Sequence, residues 1–293
     1  MNILHEAQIR QTDYNQVKQY CYFTNADTRE VDVSVIIPVH GRIEFNHIVT
    51  IQFLKAIYFH GHIKKISITF VEHSEIPLHH FLCNPGINYI HIPQNKQPFN
   101  KCLAHNVGAL YSNKAKYYLF HDTDILVPPD FFVKLFENLE HGFDALQSFT
   151  QRRLLYCNEL LSKNIIENKT PIEILDAKCA GITPGDWGAQ GGSIFVPKDI
   201  FFNAGGFDPE FFDEYGLEDR FFFDKLDLIC KLGSCDNPAI ELFHLFHAPA
   251  FNRITKPEAR DAVDSFIALS HEDKLKFIHI KSEQLKKFHE TTN

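Results

Sequence analysis

Short apolar runs alternate with stretches of helical periodicity through the first half of the chain. Runs rich in β-branched and aromatic residues predict four buried strands, at 31–39, 64–74, 88–93 and 116–124. Apolar residues at helical spacing predict three helices, at 40–60, 99–115 and 128–142. This order predicts an α/β fold in which helices flank a mostly parallel central sheet.

The second half of the chain is less regular than the first. The apolar segment at 144–156 predicts a strand and its continuation, while 157–180 is polar and partly helical. The remaining predictions are a strand at 193–196, a helix at 199–204, a long helix from Glu218 and a strand at 239–247. These elements extend the α/β pattern to about residue 250.

The two ends of the chain differ from this central region. The first thirty residues are polar, with weak helical periodicity around 5–20, and 256–290 predicts a charged pair of helices. We therefore divide the chain into an N-terminal arm at 1–30, a main domain at 31–250 and a C-terminal helical extension at 251–293.

Composition and charge narrow the class of protein. The chain has 293 residues, 44% of them hydrophobic, which is enough for a substantial core. A net charge of −8 without a dominant basic patch argues against nucleic acid as a partner. There is no run of 18 apolar residues, the first residues lack a signal-peptide pattern, and the seven cysteines show no CxxC spacing. We therefore expect a reduced cytoplasmic protein.

Polar residues follow several of the predicted strands. His40, His73 and the pair Asp122 and Asp124 each come directly after an apolar run. Ligands of open parallel sheets bind outside the carboxyl ends of the strands. We therefore expect these residues to line a ligand site.

The segment FHDTDILVPP places Asp122 and Asp124 in an otherwise apolar stretch. A buried ionised carboxylate is costly unless something neutralises it. Two aspartates at this spacing can converge on a hard divalent cation such as Mg²⁺ or Mn²⁺, which prefers oxygen ligands and leaves room for phosphates. The same pattern also fits an Asx turn that caps a helix. The motif alone leaves both interpretations open.

Two later motifs add candidate metal ligands and a candidate base. His244 and His247 lie three positions apart in an apolar segment, where they could bind a metal ion or form one buried and one exposed histidine. Glu218 and Asp219 begin a predicted helix shortly after Gly216. Acids at a helix start complement the helix dipole, but an acid in a cleft can also act as a general base.

Together these segments resemble the nucleotide-sugar glycosyltransferases of the GT-A fold. The resemblance is closest to family 2 enzymes and to the C-terminal module of galactosyltransferases and N-acetylgalactosaminyltransferases, and it spans 31–250. The matching segments are VSVIIPVHGR (33–42), FNKCLAHNVGA (99–109), FHDTDILVPP (120–129), GGSIFVPKDIFFNAGGFDPEFFDEYGLEDRFFF (191–223) and HLFH (244–247). Related enzymes often have another residue where His244 stands. The resemblance implies a Rossmann-like GT-A domain.

The resemblance also implies a role for each matching residue. Asp124 and His247, with His244 and Asp122 as further ligands, would bind Mn²⁺ or Mg²⁺ at the diphosphate of a UDP-sugar. Asp219 would deprotonate the acceptor hydroxyl, and Glu218 would hold acceptor or donor hydroxyls. The implied contacts to the nucleotide, pyrophosphate or sugar are Pro38, His40, Arg42, Glu72, Lys101, Asn106, Asp122, Trp187, Gly191 and Gly192.

The function that the resemblance implies is metal-dependent transfer of a hexose or N-acetylhexosamine from a UDP-sugar to a glycan or glycolipid hydroxyl. Direct displacement with Asp219 as base predicts inversion at the anomeric carbon. Three alternatives stay open: a retaining transferase on the same fold, a nucleotidyltransferase, and a non-catalytic carbohydrate-binding protein. Such an enzyme would serve surface polysaccharide synthesis. A lipid-linked acceptor would bring it transiently to the inner face of the membrane. The N-terminal arm and the helices at 256–290, with Lys281, Lys286 and Lys287, could serve this docking or dimerisation, although such helices more often cover a sheet edge.

Overall fold

Strands and helices alternate along most of the chain. The structure, a computed structural model, describes residues 1–24, 30–61, 65–78, 87–94, 98–112, 114–149, 154–168, 180–184, 191–213, 216–248 and 255–290. The strands are β1 (Tyr22–Thr24), β2 (Val31–Val39), β3 (Ile66–Ser74), β4 (Ile87–Pro93), β5 (Ala115–His121), β6 (Ile125–Leu126), β7 (Ala145–Gln147), β8 (Leu154–Cys157), β9 (Ile182–Pro184), β10 (Ser193–Pro197), β11 (Leu232–Ser234) and β12 (Leu242–His244). The helices are α1 (Ile3–Ile9), α2 (Tyr14–Tyr20), α3 (Ile43–His60), α4 (Lys101–Tyr111), α5 (Phe131–Leu139), α6 (Glu159–Asn168), α7 (Lys198–Asn203), α8 (Glu218–Ile229), α9 (Pro257–Ile267) and α10 (His271–Glu290).

An eight-stranded sheet forms the centre of the fold. Its strands lie in the order β1, β4, β3, β2, β5, β10, β7 and β11. The four strands from β4 to β5 are parallel neighbours, whereas β1 and β10 run antiparallel to the strands beside them. β7 and β11 return to the direction of the parallel group. The predicted α/β fold with a mostly parallel sheet flanked by helices is confirmed.

A second, smaller sheet adjoins the carboxyl end of β5. Its strands lie in the order β6, β12, β8 and β9. β6 and β12 pair antiparallel, with Ile125 opposite His244 and Leu126 opposite Phe243. This pairing joins the segment directly after Asp124 to residues far along the chain.

Aromatic side chains fill the core on the sheet face that α4, α7, α8 and α10 cover. The rings of Phe207 and Phe222 stack with centroids 4.2 Å apart, and Phe120 of β5 meets Phe207 edge to face at 5.1 Å. α4 lies directly on β2, because a Cβ atom at Gly108 would collide with Ile36. This close packing fixes the position of α4, whose first residue is a lysine of the site described below.

Several predicted elements end earlier or later than the sequence indicates. The helix predicted from residue 40 begins at Ile43, because Gly41 and Arg42 have positive φ angles of 66° and 56°. The strand predicted to run to residue 124 ends at His121. The strand predicted at 239–247 was too long, because strand pairing covers only the three residues of β12.

The N-terminal and C-terminal segments pack together. The Gln284 side-chain amide donates to the Ala7 carbonyl at 2.8 Å, and the Thr12 hydroxyl donates to Glu210 at 2.8 Å. Lys281 is buried with its ammonium 3.0 Å from Glu210, so it is not available as a docking residue. Among the described helices, none has the length and apolarity needed to cross a membrane. The division at residues 30 and 250 stays a prediction.

Candidate active site

The turn after β5 carries both aspartates of the D-x-D motif and is anchored on each side. The Nε2–H of His121 donates to the Ile125 carbonyl, and its Nδ1 accepts from the Ser193 hydroxyl, both at 2.9 Å. Burial lowers the pKa of His121 to about 4, so the ring is neutral and fits one donor and one acceptor. The Asp122 N–H donates to the Gly192 carbonyl at 2.8 Å. The turn is therefore fixed to β10 and its preceding glycines.

Three side chains converge beside this turn: Asp124, His244 and His247. The Nε2 atoms of His247 and His244 lie 3.1 and 3.7 Å from carboxylate oxygens of Asp124. The Leu245 N–H donates to the Asp124 carbonyl at 2.8 Å, so the β6–β12 pairing brings the histidines into place. One ligand atom from each residue lies within 4.8 Å of the others. A carboxylate and two imidazoles at this separation fit a single divalent metal ion.

Arg42 lies against the same group of ligands. Its Nη1 is 2.5 Å from Asp124 Oδ2, and its Nη2 is 3.2 Å from His247 Nδ1. Burial disfavours ionised Asp124, but His247, His244 and Arg42 outweigh it and hold the pKa of the carboxyl below its usual range. The predicted nucleotide-pocket residue Arg42 is thus a neighbour of the candidate metal ligands.

A second cluster surrounds the ammonium of Lys101. Its Nζ lies 2.9 Å from Asp122 Oδ1, 3.0 Å from Asp219 Oδ2 and 3.8 Å from Glu218 Oε1. Asp122 comes from the turn after β5, and the other two carboxylates begin α8. The structure therefore brings together four predicted site residues from three elements, and Asp122 faces Lys101 rather than the ligand group of Asp124.

The carboxyl of Asp219 is largely buried and closely enclosed, with 17% of the side chain exposed. Gly191 has a φ of 102°, and a Cβ atom there would collide with the Asp219 carboxylate. Burial raises the pKa of Asp219 to about 7; Lys101 opposes this rise, and Glu218 and Asp122 add to it. The Gly216 N–H donates to Glu218 at 2.9 Å, which fixes the start of α8. A carboxyl with a pKa near neutrality is suited to accept a proton from a substrate hydroxyl.

The predicted base-pocket residues lie where β2 and β3 end. The exposed ring of His40 stacks on Phe99 with centroids 5.3 Å apart, and its Nδ1–H donates to the His73 carbonyl at 2.8 Å. Burial, and then the neighbouring His40 and His91, lowers the pKa of His73 to about 4. Pro38 is buried within β2. The exposed His40–Phe99 stack offers an aromatic surface at the edge of the sheet.

Glu72 is fully buried and bonded within the protein. Its carboxylate accepts from the Tyr89 hydroxyl at 2.5 Å, the Ser74 hydroxyl at 2.7 Å and the Leu78 N–H at 3.0 Å. These bonds connect β3, β4 and the segment after β3. The placement favours a structural role over the predicted contact with a nucleotide.

Asn106 is also buried, and its amide joins three elements. It donates to the Tyr14 hydroxyl at 2.6 Å and the Phe207 carbonyl at 2.8 Å, and it accepts from the Phe207 N–H at 2.9 Å. Asn106 thus attaches the GGFD turn and α2 to α4. Trp187 lies outside the described residues.

Sequence analysis missed two residues that shape the site. Phe99 forms the stack with His40, and Asn46 of α3 accepts a hydrogen bond from the Thr123 hydroxyl inside the D-x-D turn. An aromatic residue directly before the helix cap Asn100 could have indicated Phe99. Nothing local indicates Asn46, because its role depends on α3 packing beside β5.

The fold and the position of the site define a class: the chain has the GT-A fold of glycosyltransferases. Among solved structures, it is similar to the catalytic domain of Drosophila β1,4-galactosyltransferase 7 in complex with xylobiose, with a TM-score of 0.52, 13% identity and 83% of each chain covered. It is also similar to residues 1–349 of S. aureus TarS in complex with UDP-GlcNAc, with a TM-score of 0.54 and 12% identity over 88% of this chain and 71% of that one. No protein-family model matches the chain, and no curated protein is significantly similar to it in sequence.

Proposed function

We propose that the protein is a metal-dependent glycosyltransferase that moves a hexose or N-acetylhexosamine from a UDP-sugar to a hydroxyl of a glycan or lipid-linked saccharide. One observation carries this proposal. The turn at 122–124 connects a group of metal-type ligands to a partly buried carboxyl cluster that contains a candidate base. Structures of the same fold in complex with UDP-GlcNAc and with xylobiose support the kinds of donor and acceptor.

The ligand group and Arg42 would hold the donor diphosphate. Of the two ions proposed, Asp124, His244 and His247 fit Mn²⁺ better than Mg²⁺, because imidazole suits a transition-metal ion better than the harder Mg²⁺. Such an ion stabilises the negative charge that develops on the leaving diphosphate. The Arg42 guanidinium, already 2.5 Å from Asp124, is positioned to add a second positive charge there. The exposed His40–Phe99 surface would bind the uracil.

Asp219 would act as the general base. Its carboxylate takes the proton of the acceptor hydroxyl, and the acceptor oxygen forms a bond to the anomeric carbon. The bond between that carbon and the β-phosphate oxygen breaks in the same step, and UDP leaves with the electron pair. Glu218, beside Asp219, would hold sugar hydroxyls. The adjoining glycines would let the donor sugar approach the backbone.

A direct displacement of this kind inverts the anomeric carbon, so we propose a β-linked product from a UDP-α-sugar. Transfer in surface polysaccharide synthesis, with transient membrane association through a lipid-linked acceptor, belongs to the same proposal. Lys287 is exposed on α10 and Lys286 is half-buried, so they are the docking candidates that remain among the three lysines.

Calorimetric titration of UDP into the metal-free protein, with and without Mn²⁺, tests the proposal. We expect binding that depends on Mn²⁺ and that weakens by at least roughly 10–100-fold in Asp124→Ala, because the variant loses a metal ligand. Asp32→Ala is the matched control, since Asp32 pairs with Lys65 and Lys116 at a distant position. It should bind UDP as the unmodified protein does.

Two outcomes would contradict this proposal. UDP binding of equal affinity with and without Mn²⁺ would show that Asp124, His244 and His247 do not hold a metal ion needed for donor binding. A lack of UDP binding with Mn²⁺, and with Mg²⁺ in its place, would overturn the donor assignment. Titration of nucleoside triphosphates would then test the nucleotidyltransferase alternative, and titration of saccharides alone would test the carbohydrate-binding alternative.

A further inference from the structure

Lys101 occupies a position that local helix chemistry disfavours. It is the first residue of α4, and α4 has no acidic residue in its first turn. A cation at a helix N-terminus opposes the helix dipole. The side chain is also only 15% exposed, so its charge is largely removed from water. A residue that conflicts with its local setting in this way is expected to have a compensating role elsewhere.

Carboxylates on two separate elements neutralise the positive charge of Lys101. The ammonium lies within 3.3 Å of both oxygens of Asp219 and 2.9 Å from Asp122 Oδ1. Asp122 belongs to the turn that also carries the metal-type ligand Asp124, whereas Asp219 begins α8. Lys101 therefore connects the donor side of the proposed site to its base.

The Asp219 carboxylate is enclosed from opposite directions. Gly191 approaches so closely that no side chain would fit there, while Lys101 contacts both carboxylate oxygens. A carboxylate held at two oxygens by one ammonium has little rotational freedom. Its orientation therefore depends on Lys101 as much as on its own helix.

Charge in the cluster is unbalanced without Lys101. One ammonium faces three carboxylates, of which Glu218 is 3.8 Å away. If the ammonium were removed, the three neighbouring carboxylates would repel one another. Asp219, which loses a contact at both of its oxygens, would then take up a proton. A protonated Asp219 cannot accept the proton of an acceptor hydroxyl.

We propose that Lys101 is a positioning residue that ties Asp219 to Asp122, so that the base keeps one orientation relative to the donor turn and loses less of its charge near neutral pH. This inference rests on the proposed transferase function and assigns Lys101 a task other than binding the nucleotide. Lys101 acts through Asp219 and exchanges no proton with the substrate.

The test compares Lys101→Met and Lys101→Arg with the unmodified protein. Hydrolysis of the fastest substrate among UDP-glucose, UDP-galactose, UDP-GlcNAc and UDP-GalNAc is followed with Mn²⁺ from pH 5 to 10. We expect Lys101→Met to lower kcat at pH 7 by roughly 100-fold and to move the rising limb of the pH profile up by about one unit or more. Lys101→Arg should restore the position of that limb, because it keeps the charge and can hold a carboxylate with two bonds.

Lys116→Met is the matched control. Lys116 is an exposed lysine that pairs with Asp32 at 2.8 Å, far from the cluster, so its removal should leave kcat and the pH profile unchanged. Calorimetric titration of UDP with Mn²⁺ into Lys101→Met should give an affinity within about threefold of the unmodified protein, and thermal unfolding should remain cooperative.

The other possible outcomes contradict either the Lys101 inference alone or the proposed function as well. Activity that falls equally at every pH in Lys101→Met would show a merely structural role and overturn the inference. Loss of UDP binding in Lys101→Met would make Lys101 a donor ligand and would also overturn it. If the unmodified protein neither binds UDP with Mn²⁺ nor hydrolyses any of the four donors, the proposed function fails, and the Lys101 inference falls with it.

Discussion

Asp219 shows how the surroundings of a single residue determine its chemistry. An exposed aspartate is ionised throughout the neutral range and is a weak base. Burial beside Glu218 and Asp122 raises the pKa of Asp219 to about 7, against the opposing effect of Lys101. The ED motif in the sequence indicated which residue to consider. The raised pKa could not be inferred from the motif, because it comes from α4, the turn after β5 and Gly191.

The pH dependence of kcat/KM should report this carboxyl, since that parameter follows ionisation in the free enzyme. As the proposed base, Asp219 is inactive when protonated below its pKa, so the rate should rise as pH increases through about 7 and level off above it. His73 and His121 cannot produce this rise in kcat/KM near pH 7, because burial lowers the pKa of each to about 4. Steady-state rates from pH 5 to 9 measure it. If kcat/KM of Asp219→Asn still rises with the same midpoint, the titrating group is a residue other than Asp219.

Gly191 gives a second prediction at the residue scale. Gly191→Ala should lower kcat by roughly 100-fold, because the new Cβ pushes the Asp219 carboxylate from its position by a distance on the order of 1 Å. Mn²⁺-dependent UDP binding should be largely retained, since the metal-type ligands lie on other elements.

Gly61→Ala is the control for the backbone strain that an alanine introduces at a positive φ angle, without the collision expected at position 191. Gly61 has a φ of 75°, and a Cβ atom there would meet open space, so its substitution carries the strain alone. Equal loss of kcat in both variants would contradict the explanation for Gly191.

At the scale of elements, long periodic segments were predicted well, whereas four of the shortest strands were missed. β2 was predicted with its observed bounds, and α3, α4, α5 and α8 were each identified. The strands β1, β6, β9 and β11 were missed, because two or three residues are too few to show a period. β6 nevertheless carries much of the site, because its pairing with β12 brings two histidines to Asp124. Strand pairing between distant segments is a property of tertiary structure that the local pattern does not contain.

The same limit applies to two of the predicted site residues. Glu72 and Asn106 were predicted to contact the nucleotide, but both are buried and bonded to neighbouring elements. Their sequence positions beside strand and helix ends are equally compatible with binding a ligand or fixing a loop. Only the packing of β4 and of the GGFD turn distinguishes the two.

At the scale of the whole molecule, the two ends of the chain are joined through one acidic residue. Glu210, next to the GGFD turn, accepts from the Thr12 hydroxyl at 2.8 Å and pairs with Lys281 of α10 at 3.0 Å. Gln284 of α10 also donates to the Ala7 carbonyl. The arm and the extension therefore form one packed layer against the main domain.

Glu210→Ala should lower the free energy of unfolding by about 3 kcal/mol, because it removes the nearest partner of the buried Lys281 ammonium. The remaining carboxylate, Asp208, lies 3.9 Å from that ammonium and is already paired with Lys225. Urea unfolding followed by circular dichroism measures the change. Glu283→Ala, at an exposed position of α10, is the control and should change stability by less than about 0.5 kcal/mol. Similar losses in both variants would contradict the role of the Glu210–Lys281 pair.

The pairing of β6 with β12 has a consequence for synthesis on the ribosome. Asp124 and His244 are 120 positions apart, as their numbers show. At a synthesis rate of about 5–20 residues per second, roughly 6–24 s pass between the two. During that interval the nascent chain holds the D-x-D turn without its histidine partners. The proposed donor site therefore cannot be complete before residue 247 has been made.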